Sequence, residues 1–435
     1  MILNYYCIAA AVLVGGVAGL GAVRWLRAGL GGARVVGRAA GVGFAGTVVL
    51  GAGALLITGV DGFTLIHVAY VVGTVGVPLA GGIVLVGAQP RPWGVTAVCV
   101  VALAAIPVGV YATYVEPFWL RVETVSLAVD GLNGVDGADG PIRIGVLADL
   151  QTTAVGEYER DVVERLLGFE PDIVLLPGDL YQFDAGLFDE RAPGFTELVR
   201  RIVGEVPLVY LVSGNTDTVA GLRRITEGTG ARVLDNEIDT FELKGVSVWV
   251  GGTTLFGDDA AARRMARRLA GGEQGLTGDG VGLAGGGDGD SDGGGDGGSA
   301  GVRTGLGVRT GLGVRTGPGV RTGPGVRTGP GVRTGPGVRI LIGHKPDAIE
   351  LVRQTPVDLV VSGHTHGGQV SLPLFGPPLT LTGVPRHVAA GGLHELHGTP
   401  IYVSTGVGRE RGNAPQLRLG VRPSIGIIDL VAGDR

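Results

Sequence analysis

The chain has 435 residues, 84 of them glycine, with 17% charged residues and a formal net charge of −5. That length allows two or three domains, and the acidic balance argues against a nucleic-acid-binding surface of the usual basic kind. The two cysteines, Cys7 and Cys99, both fall in apolar segments. A disulfide framework and a thiolate metal site are therefore excluded from the polar part of the chain, and any metal there is held by nitrogen and oxygen.

Residues 1–120 read as a transmembrane region of four helices. Tyr5 to Val23, Ala40 to Val60, Ile66 to Ala88 and Gly94 to Tyr114 are runs of Ala, Val, Leu, Ile and Gly, each about 20 residues, the length a bilayer core requires. A cleavable signal peptide accounts for the first run and not for the other three. Pro78 and Pro107 lie inside two runs, which is tolerated where neighbouring helices satisfy the backbone. His67, at the edge of the third run, reads as an interfacial residue rather than a ligand. Arg24, Arg27, Arg34 and Arg38 mark the first loop and Arg91 the third, whereas the second carries Asp61 and no base. Positive loops stay inside, so the protein is expected to be integral to the cell membrane, with its N-terminus and everything after residue 115 extracytoplasmic.

From Arg121 the pattern changes to alternating strands and helices. "PIRIGVLADL" (141–150), "PDIVLLPGDL" (171–180) and "VPLVYLVSGNTD" (206–217) are strands with polar ends. Helices are predicted over 158–170 and 194–203, and "FELKGVSVWVGG" (241–252) predicts a hairpin around Lys244-Gly245. Short apolar runs separated by helices indicate an α/β domain with its chemistry at strand ends, here over 121–435. Residues 271–336 interrupt it. A Gly/Asp tract there precedes six copies of GVRTGL or GVRTGP that start at Gly301. A period of six with no apolar partner builds no core, so a disordered or extended insertion is expected, of little consequence to catalysis. A calcium β-helix is disfavoured because no apolar position recurs to be buried in each turn.

Polar groups end five apolar runs: Asp149 and Gln151 in "VLADLQ", Asp179 in "LLPGDL", Asn215 and Asp217 in "VSGNTD", His344 in "ILIGHKPD", and His364 and His366 in "VVSGHTHGGQV". Taken singly, a Gly-Asp after a strand is a turn or helix cap. The Gly-His-Thr-His pair is harder to explain that way. In an extended segment residues i and i+2 face one side, so both imidazoles can serve one centre or two adjacent ones. With carboxylates and an Asn carbonyl they make a divalent-metal pocket without sulfur.

The order Asp-x-(His), Gly-Asp, Gly-Asn-(His)-Asp, Gly-His, Gly-His-x-His, with "GHKPD", "GHTHGGQVSLP" and "IYVSTGVG", resembles calcineurin-like metallophosphoesterases, in particular their membrane-associated bacterial and archaeal branch. The likeness covers about residues 140–430. It implies a two-sheet αββα sandwich holding two divalent metal ions (Mn, Fe or Zn). Carried over position by position, Asp149 and His366 hold the first metal, Asp179 bridges, and Asn215, His344 and His364 complete the second. Asp179, Asn215 and His364 are the catalytic candidates, and Asp217 orients a neighbouring ligand. A water bridging such a pair attacks phosphorus.

Two positions depart from the family pattern. Gln151 stands where the family has His. Its amide oxygen either binds a hard metal more weakly, favouring Mn, or makes no metal contact. Thr216 stands where the family often places the His that protonates the leaving group, and losing a general acid costs about 10²–10⁴-fold. Lys345, His387, His394 and His397 could substitute, but spacing does not separate them, and each reads rather as a surface residue. The expected function is membrane-anchored hydrolysis of phosphoric ester or anhydride bonds, on a phosphate-containing substrate that four spans would allow to be lipid-linked. The alternative is a non-catalytic metal- and phosphate-binding membrane receptor or scaffold. A nuclease is disfavoured by the low charge and by lysine at only Lys244 and Lys345, so no nucleic acid partner is expected.

Overall fold

The computed structural model describes residues 2–27, 62–89, 92–132, 140–255, 259–271, 337–355 and 357–433. The predicted span 40–60 lies outside them, as do Arg34, Arg38, Asp61 and Arg91, and all but the first residue of the 271–336 insertion. Among the described residues three helices, not four, are long and apolar enough to cross a bilayer: α1 (Ile2–Arg27), α2 (Gly62–Gly87) and α3 (Trp93–Phe118). In α2 a π turn, Val72–Gly76, directly precedes the segment carrying Pro78, a local widening that accommodates the missing proline donor. Helix α1 packs on α2 through small residues. A Cβ on Gly15 would lie 2.3 Å from the Gly76 carbonyl oxygen, and one on Gly19 would lie 3.1 Å from the Ala80 Cα, the close approach on which helix pairs in lipid depend.

The helix ends define two sides. Arg27 donates to the Gly87 carbonyl at 3.0 and 2.8 Å, so the C-terminal ends of α1 and α2 lie together. The opposite ends face the rest of the chain: His67 Nδ1 is 3.2 Å from the Asn413 carbonyl oxygen and the Arg418 amide donates to Ala112 O at 2.9 Å. His67 therefore caps a contact with the polar part of the protein.

That part is built on two six-stranded sheets. In chain order the strands are β1 (Arg121–Val129), β2 (Ile142–Val146), β3 (Ile173–Pro177), β4 (Leu208–Val212), β5 (Arg232–Val233), β6 (Glu237–Leu243), β7 (Val246–Thr253), β8 (Val338–Gly343), β9 (Leu359–Ser362), β10 (Gly392–Leu396), β11 (Thr399–Val403) and β12 (Ser424–Ala432). The orders are β1-β12-β2-β3-β4-β5 and β10-β11-β9-β8-β7-β6. Strands β2 to β5 are parallel, as are β7, β8, β9 and β11, so their C-terminal ends gather along one rim.

Alternate residues of each central strand are buried on opposite faces. Ile173, Leu175, Ile340 and Ile342 fill the space between the sheets. Val174 and Leu176 pack outward on α4 (Glu157–Leu167), α5 (Phe188–Glu205) and α6 (Val219–Thr226). Leu341 and Val360 pack outward on α7 (Asp259–Gly271) and α8 (Arg386–Ala389). Burial on both faces explains why these strands read as continuous apolar runs, and the layers are α/β/β/α as expected.

Boundaries moved where packing or turn chemistry decided. The helix predicted over 158–170 stops at Leu167, because Gly168 and Pro171 follow and Glu170 adopts φ 51°. The helix predicted over 194–203 begins at Phe188, with Pro193 inside it. Phe188 packs edge-on to Tyr181 at 5.8 Å, and that contact holds a turn which proline alone argues against. The hairpin turns at Lys244-Gly245 with φ 51° and 75°, the left-handed pair that suits strand twist. Leu175 is wholly buried between the sheets. Leu175→Ala is expected to lower stability by about 2–5 kcal/mol, read as a reduced denaturation midpoint of the full chain in detergent.

Candidate metal centre

Each candidate ligand leaves the C-terminal end of a strand: Asp149 and Gln151 after β2, Asp179 after β3, Asn215 after β4, His344 after β8, His364 and His366 after β9. Parallel strands bring these ends to one rim, and backbone bonds lock the loops together. Gln151 N donates to Asp179 O at 2.8 Å, Gly363 N to His344 O at 3.0 Å, and Gly408 N to Asp149 O at 2.7 Å. The chain bends sharply there. Asp149, Gln151, Asp179, His364 and His366 all have φ between 42° and 69°, a strained region that clusters at functional sites. Side chains crowd the turns as well. A Cβ on Gly214 would lie 2.0 Å from Asp179 Oδ1, and one on Gly363 would lie 2.5 Å from Asp149 Oδ2, so a side chain at either position would displace a candidate carboxylate.

Asp149, Asp179 and His344 place one ligand atom each within 4.8 Å of one another, all buried. His344 Nε2 is 3.5 Å from Asp179 Oδ2 and 2.9 Å from Asn215 Oδ1. His364 Nδ1 is 3.0 Å from the same Asn215 oxygen and 3.1 Å from His344 Nε2. His364 also donates its backbone N–H to both oxygens of Asp149, at 3.0 Å each. His344 Nδ1 donates to the Pro177 carbonyl at 2.9 Å, a bond that fixes the tautomer and turns the Nε2 lone pair into the cluster. His366 is buried, and its Nδ1 edge is met by Arg418 at 3.2 Å.

The two departures have definite places. Gln151 is fully buried; its amide oxygen has no hydrogen-bond partner, and its amide nitrogen faces the Glu410 carboxylate. The Thr216 hydroxyl donates to Tyr181 O at 2.8 Å and its amide to Asp179 Oδ1 at 2.9 Å, so its side chain is turned to a backbone carbonyl. Asp217 accepts from the Gly214 and Leu180 amides at 2.7 and 2.8 Å, tying the Asn215 loop to the Asp179 loop. His397 contacts Glu350, and His394 contacts the Gly391 carbonyl and stacks edge-on to His387. The contacts of these three lie away from the cluster. Lys345 lines the adjoining cleft.

Sequence reasoning missed Arg418 and Glu410. Arg418 is fully buried and donates to the Thr405, Gly406 and Gly408 carbonyls as well as meeting His366. Burial lowers its pKa to about 10, so it stays charged at neutral pH. The Glu410 carboxylate faces the Gln151 and Gln182 amides, and burial followed by the Asp179 charge raises its pKa. Both residues sit in a loop with no strand-end pattern, and no spacing in the sequence singles them out.

The electrostatics fit a divalent cation. Burial first, and the Asp179 charge second, hold the Asp149 pKa well above the carboxylate range. Burial likewise lowers His344, pushes His364 down to about 3 and holds His366 well below the usual imidazole range. The rings are thus neutral, the form that binds metal. Crowded buried carboxylates and an orphaned amide oxygen are each relieved by a bound cation.

The relatives that the chain resembles support a calcineurin-like metallophosphoesterase. It is 41% identical over 92 residues to Phosphodiesterase YaeI of Escherichia coli (strain K12), a match covering 21% of this chain and 32% of that protein. It is 40% identical over 93 residues to the uncharacterized metallophosphoesterase YkuE of Bacillus subtilis (strain 168), covering 21% and 30%. Over 75 residues it is 38% identical to the UDP-2,3-diacylglucosamine pyrophosphatase LpxG of Chlamydia muridarum, covering 16% and 23%. The chain therefore spans about a third, 32% and 30%, of the length of the first two relatives. No family model matches. Among solved structures, the NAD nucleotidase NadN of Haemophilus influenzae superposes with a TM-score of 0.32 at 14% identity, covering 61% of this chain and 50% of that one. A Danio rerio dimetal phosphatase gives 0.28 at 14%, covering 62% and 88%. Both scores are too low to bear on function.

Burial, then the Asp179 charge, raises the Asp217 pKa to about 7, above its unfolded value of about 3.9. A group raised on folding contributes stability that is fully present below the unfolded pKa and lost as pH rises through the folded one. The EDTA-treated full chain should lose stability between about pH 4 and 7 from this group, and Asp217→Asn should flatten that slope. Asn leaves one backbone amide without an acceptor, so at pH 5 the variant should be about 1–3 kcal/mol less stable. Denaturation midpoints across the pH range read both effects.

Proposed function

We propose that the chain is a membrane-anchored, dinuclear-metal phosphoesterase that hydrolyses phosphoric ester or anhydride bonds. The observation that carries this reading is the gathering of Asp149, Asp179, Asn215, His344 and His364 at one rim, with the carboxylates buried. Asp149, Asp179, His344 and His366 are buried, whereas Asn215 and His364 are more exposed. Asp149 and His366 would hold one cation, Asp179 would be shared, and Asn215, His344 and His364 would hold the other. Two divalent cations bound there supply a nucleophile at neutral pH and stabilise charge on the phosphoryl oxygens.

The chain's own groups prepare that chemistry. The His344 bond to Pro177 O fixes a donor lone pair, and the Asp149 bonds to the His364 amide fix the carboxylate between the two loops. Asn215 and His364 are placed to meet an incoming phosphoryl oxygen. The oxygen-rich donor set, with Gln151 in place of an imidazole, favours Mn. Because the Thr216 hydroxyl is turned to Tyr181 O, no side chain at that position protonates the leaving group. Good leaving groups, such as aryl phosphates and pyrophosphates, should be the best substrates.

Three apolar helices support membrane anchoring. Arg24 and Arg27 lie at the ends of α1 and α2 remote from the α/β unit, which supports an extracytoplasmic site. Membrane anchoring makes a lipid-linked phosphate a natural substrate. The Thr216 orientation also favours a second reading, a metal- and phosphate-binding receptor without turnover.

The detergent-solubilised full chain is expected to hydrolyse bis-p-nitrophenyl phosphate with Mn. EDTA should abolish the activity, added Mn should restore it, and Asp179→Ala should reduce turnover by about 10³-fold or more. Stoichiometric metal binding with no turnover across mono- and diester substrates would support the receptor instead. Residues 121–435 are proposed as the catalytic unit and 271–336 as an insertion within it. Deleting residues 301–336 should leave turnover within about twofold of the full chain.

A further inference from the structure

Among the described residues of the α/β unit, seven large apolar side chains are exposed, and five of them lie in one short segment. Leu372, Leu374, Phe375, Leu379 and Leu381 are each at least 44% exposed. Single exposed apolar residues are ordinary, whereas a contiguous set of this size marks an interaction surface. The segment directly follows the paired histidines, and its far end returns to them: the Leu381 carbonyl oxygen lies 3.4 Å from His364 Nε2.

The segment is also joined to the membrane helices. Ser371 N donates to Leu419 O at 2.8 Å, and Leu419 N donates to Gln369 O at 2.9 Å. On the other side of the same stretch, Gly420 N donates to the Glu116 carboxylate at 2.9 Å and Arg418 N to Ala112 O at 2.9 Å, both within the last turns of α3. Tyr114, Phe118 and Trp119 are exposed at this end, and Arg409 and Arg422 lie over the rings of Phe118 and Trp119. Aromatic and basic residues at a helix end mark the level of the lipid headgroups. Beside the apolar segment opens a cleft of about 540 Å³ whose lining includes Lys345, Asp347, Thr380, Thr382 and Arg386, with the Thr382 hydroxyl donating to Asp347. Two cations against one carboxylate suit a phosphate.

We infer that residues 372–381 form a lip that enters the bilayer holding the three helices, so that the metal centre opens onto the membrane and takes the phosphate of a membrane-resident amphiphile. The lipid is favoured over a protein partner because the segment is continuous, through Leu419 and Gly420, with the end of a membrane helix. The chemistry of the order is consistent: apolar tip in the acyl boundary, cations at headgroup depth, metal ligands behind them. The inference rests on the membrane-anchored reading above.

The test uses the full chain, with Cys7 and Cys99 replaced by serine, in nanodiscs of phosphatidylcholine and phosphatidylglycerol. Single cysteines at Leu374, Phe375, Val101 and Glu227 carry nitroxide labels, and collision rates with oxygen and with a water-soluble nickel chelate are compared. Val101 is an exposed residue of α3, and Glu227 lies beside β5, the sheet edge opposite β1. The expected result is an oxygen-to-nickel ratio at Leu374→Cys and Phe375→Cys about tenfold above that at Glu227→Cys and close to that at Val101→Cys. Water-like ratios at both lip positions with a lipid-like ratio at Val101→Cys overturn the lip alone. A water-like ratio at Val101→Cys overturns the membrane reading and the lip with it. Labels at the lip shielded from both reagents, as a covering protein surface produces, also overturn it.

Discussion

Two ionisable carboxylates, three imidazoles and an amide are forced into one desolvated rim, and much of the structure exists to tolerate that. Like charges this close in low dielectric repel, and burial disfavours each charged form further. Asp149 answers by a raised pKa and the histidines by lowered ones. A bound cation would make the same arrangement favourable, because it would offset the crowded carboxylate charge and meet the neutral ring nitrogens that face the centre. Gln151, buried with an unpaired amide oxygen, belongs to the same balance: a polar group without a partner is costly unless a ligand completes it.

The scaffold stores strain to keep this geometry. Left-handed conformations at five candidate ligands, each costing about 1–3 kcal/mol, survive because two thick apolar layers and the backbone bonds between adjacent loops determine the chain around them. Asp217 shows how this is done without touching a substrate: one buried carboxylate holds two loop amides, and so sets the separation of Asp179 from Asn215. Arg418 plays a comparable part at His366, with its charge spread over three carbonyls.

Arg418 is also where the membrane region and the site meet. Its guanidinium reaches His366 while its backbone amide bonds to Ala112 in α3. One residue therefore links the last turns of an apolar helix to a candidate ligand, and the loop 409–422 is shaped by both. In the membrane-anchored reading, a site coupled this way to helix packing would be held at a fixed height relative to the bilayer, not merely tethered near it. A fixed height would then select what can reach the mouth.

Much of this was legible from the chain. The apolar runs, the switch at Arg121 to alternating strands, the glycine-punctuated polar strand ends and the spacing of His364 and His366 are local patterns, and local sterics and hydrophobic periodicity are written residue by residue. Even so, Phe188 extended α5 through Pro193 by an aromatic contact, and no window of sequence contains that contact. The buried Arg418, the Glu410 carboxylate facing Gln151 and the apolar lip beside the membrane helices were illegible for the same reason. Each depends on a neighbour that is distant along the chain. Sequence alone determined which residue types stand at the ends of which strands, because periodicity and turn chemistry act over a few residues. Tertiary structure alone decided what those ends face, because desolvation and charge coupling depend on who is near in space.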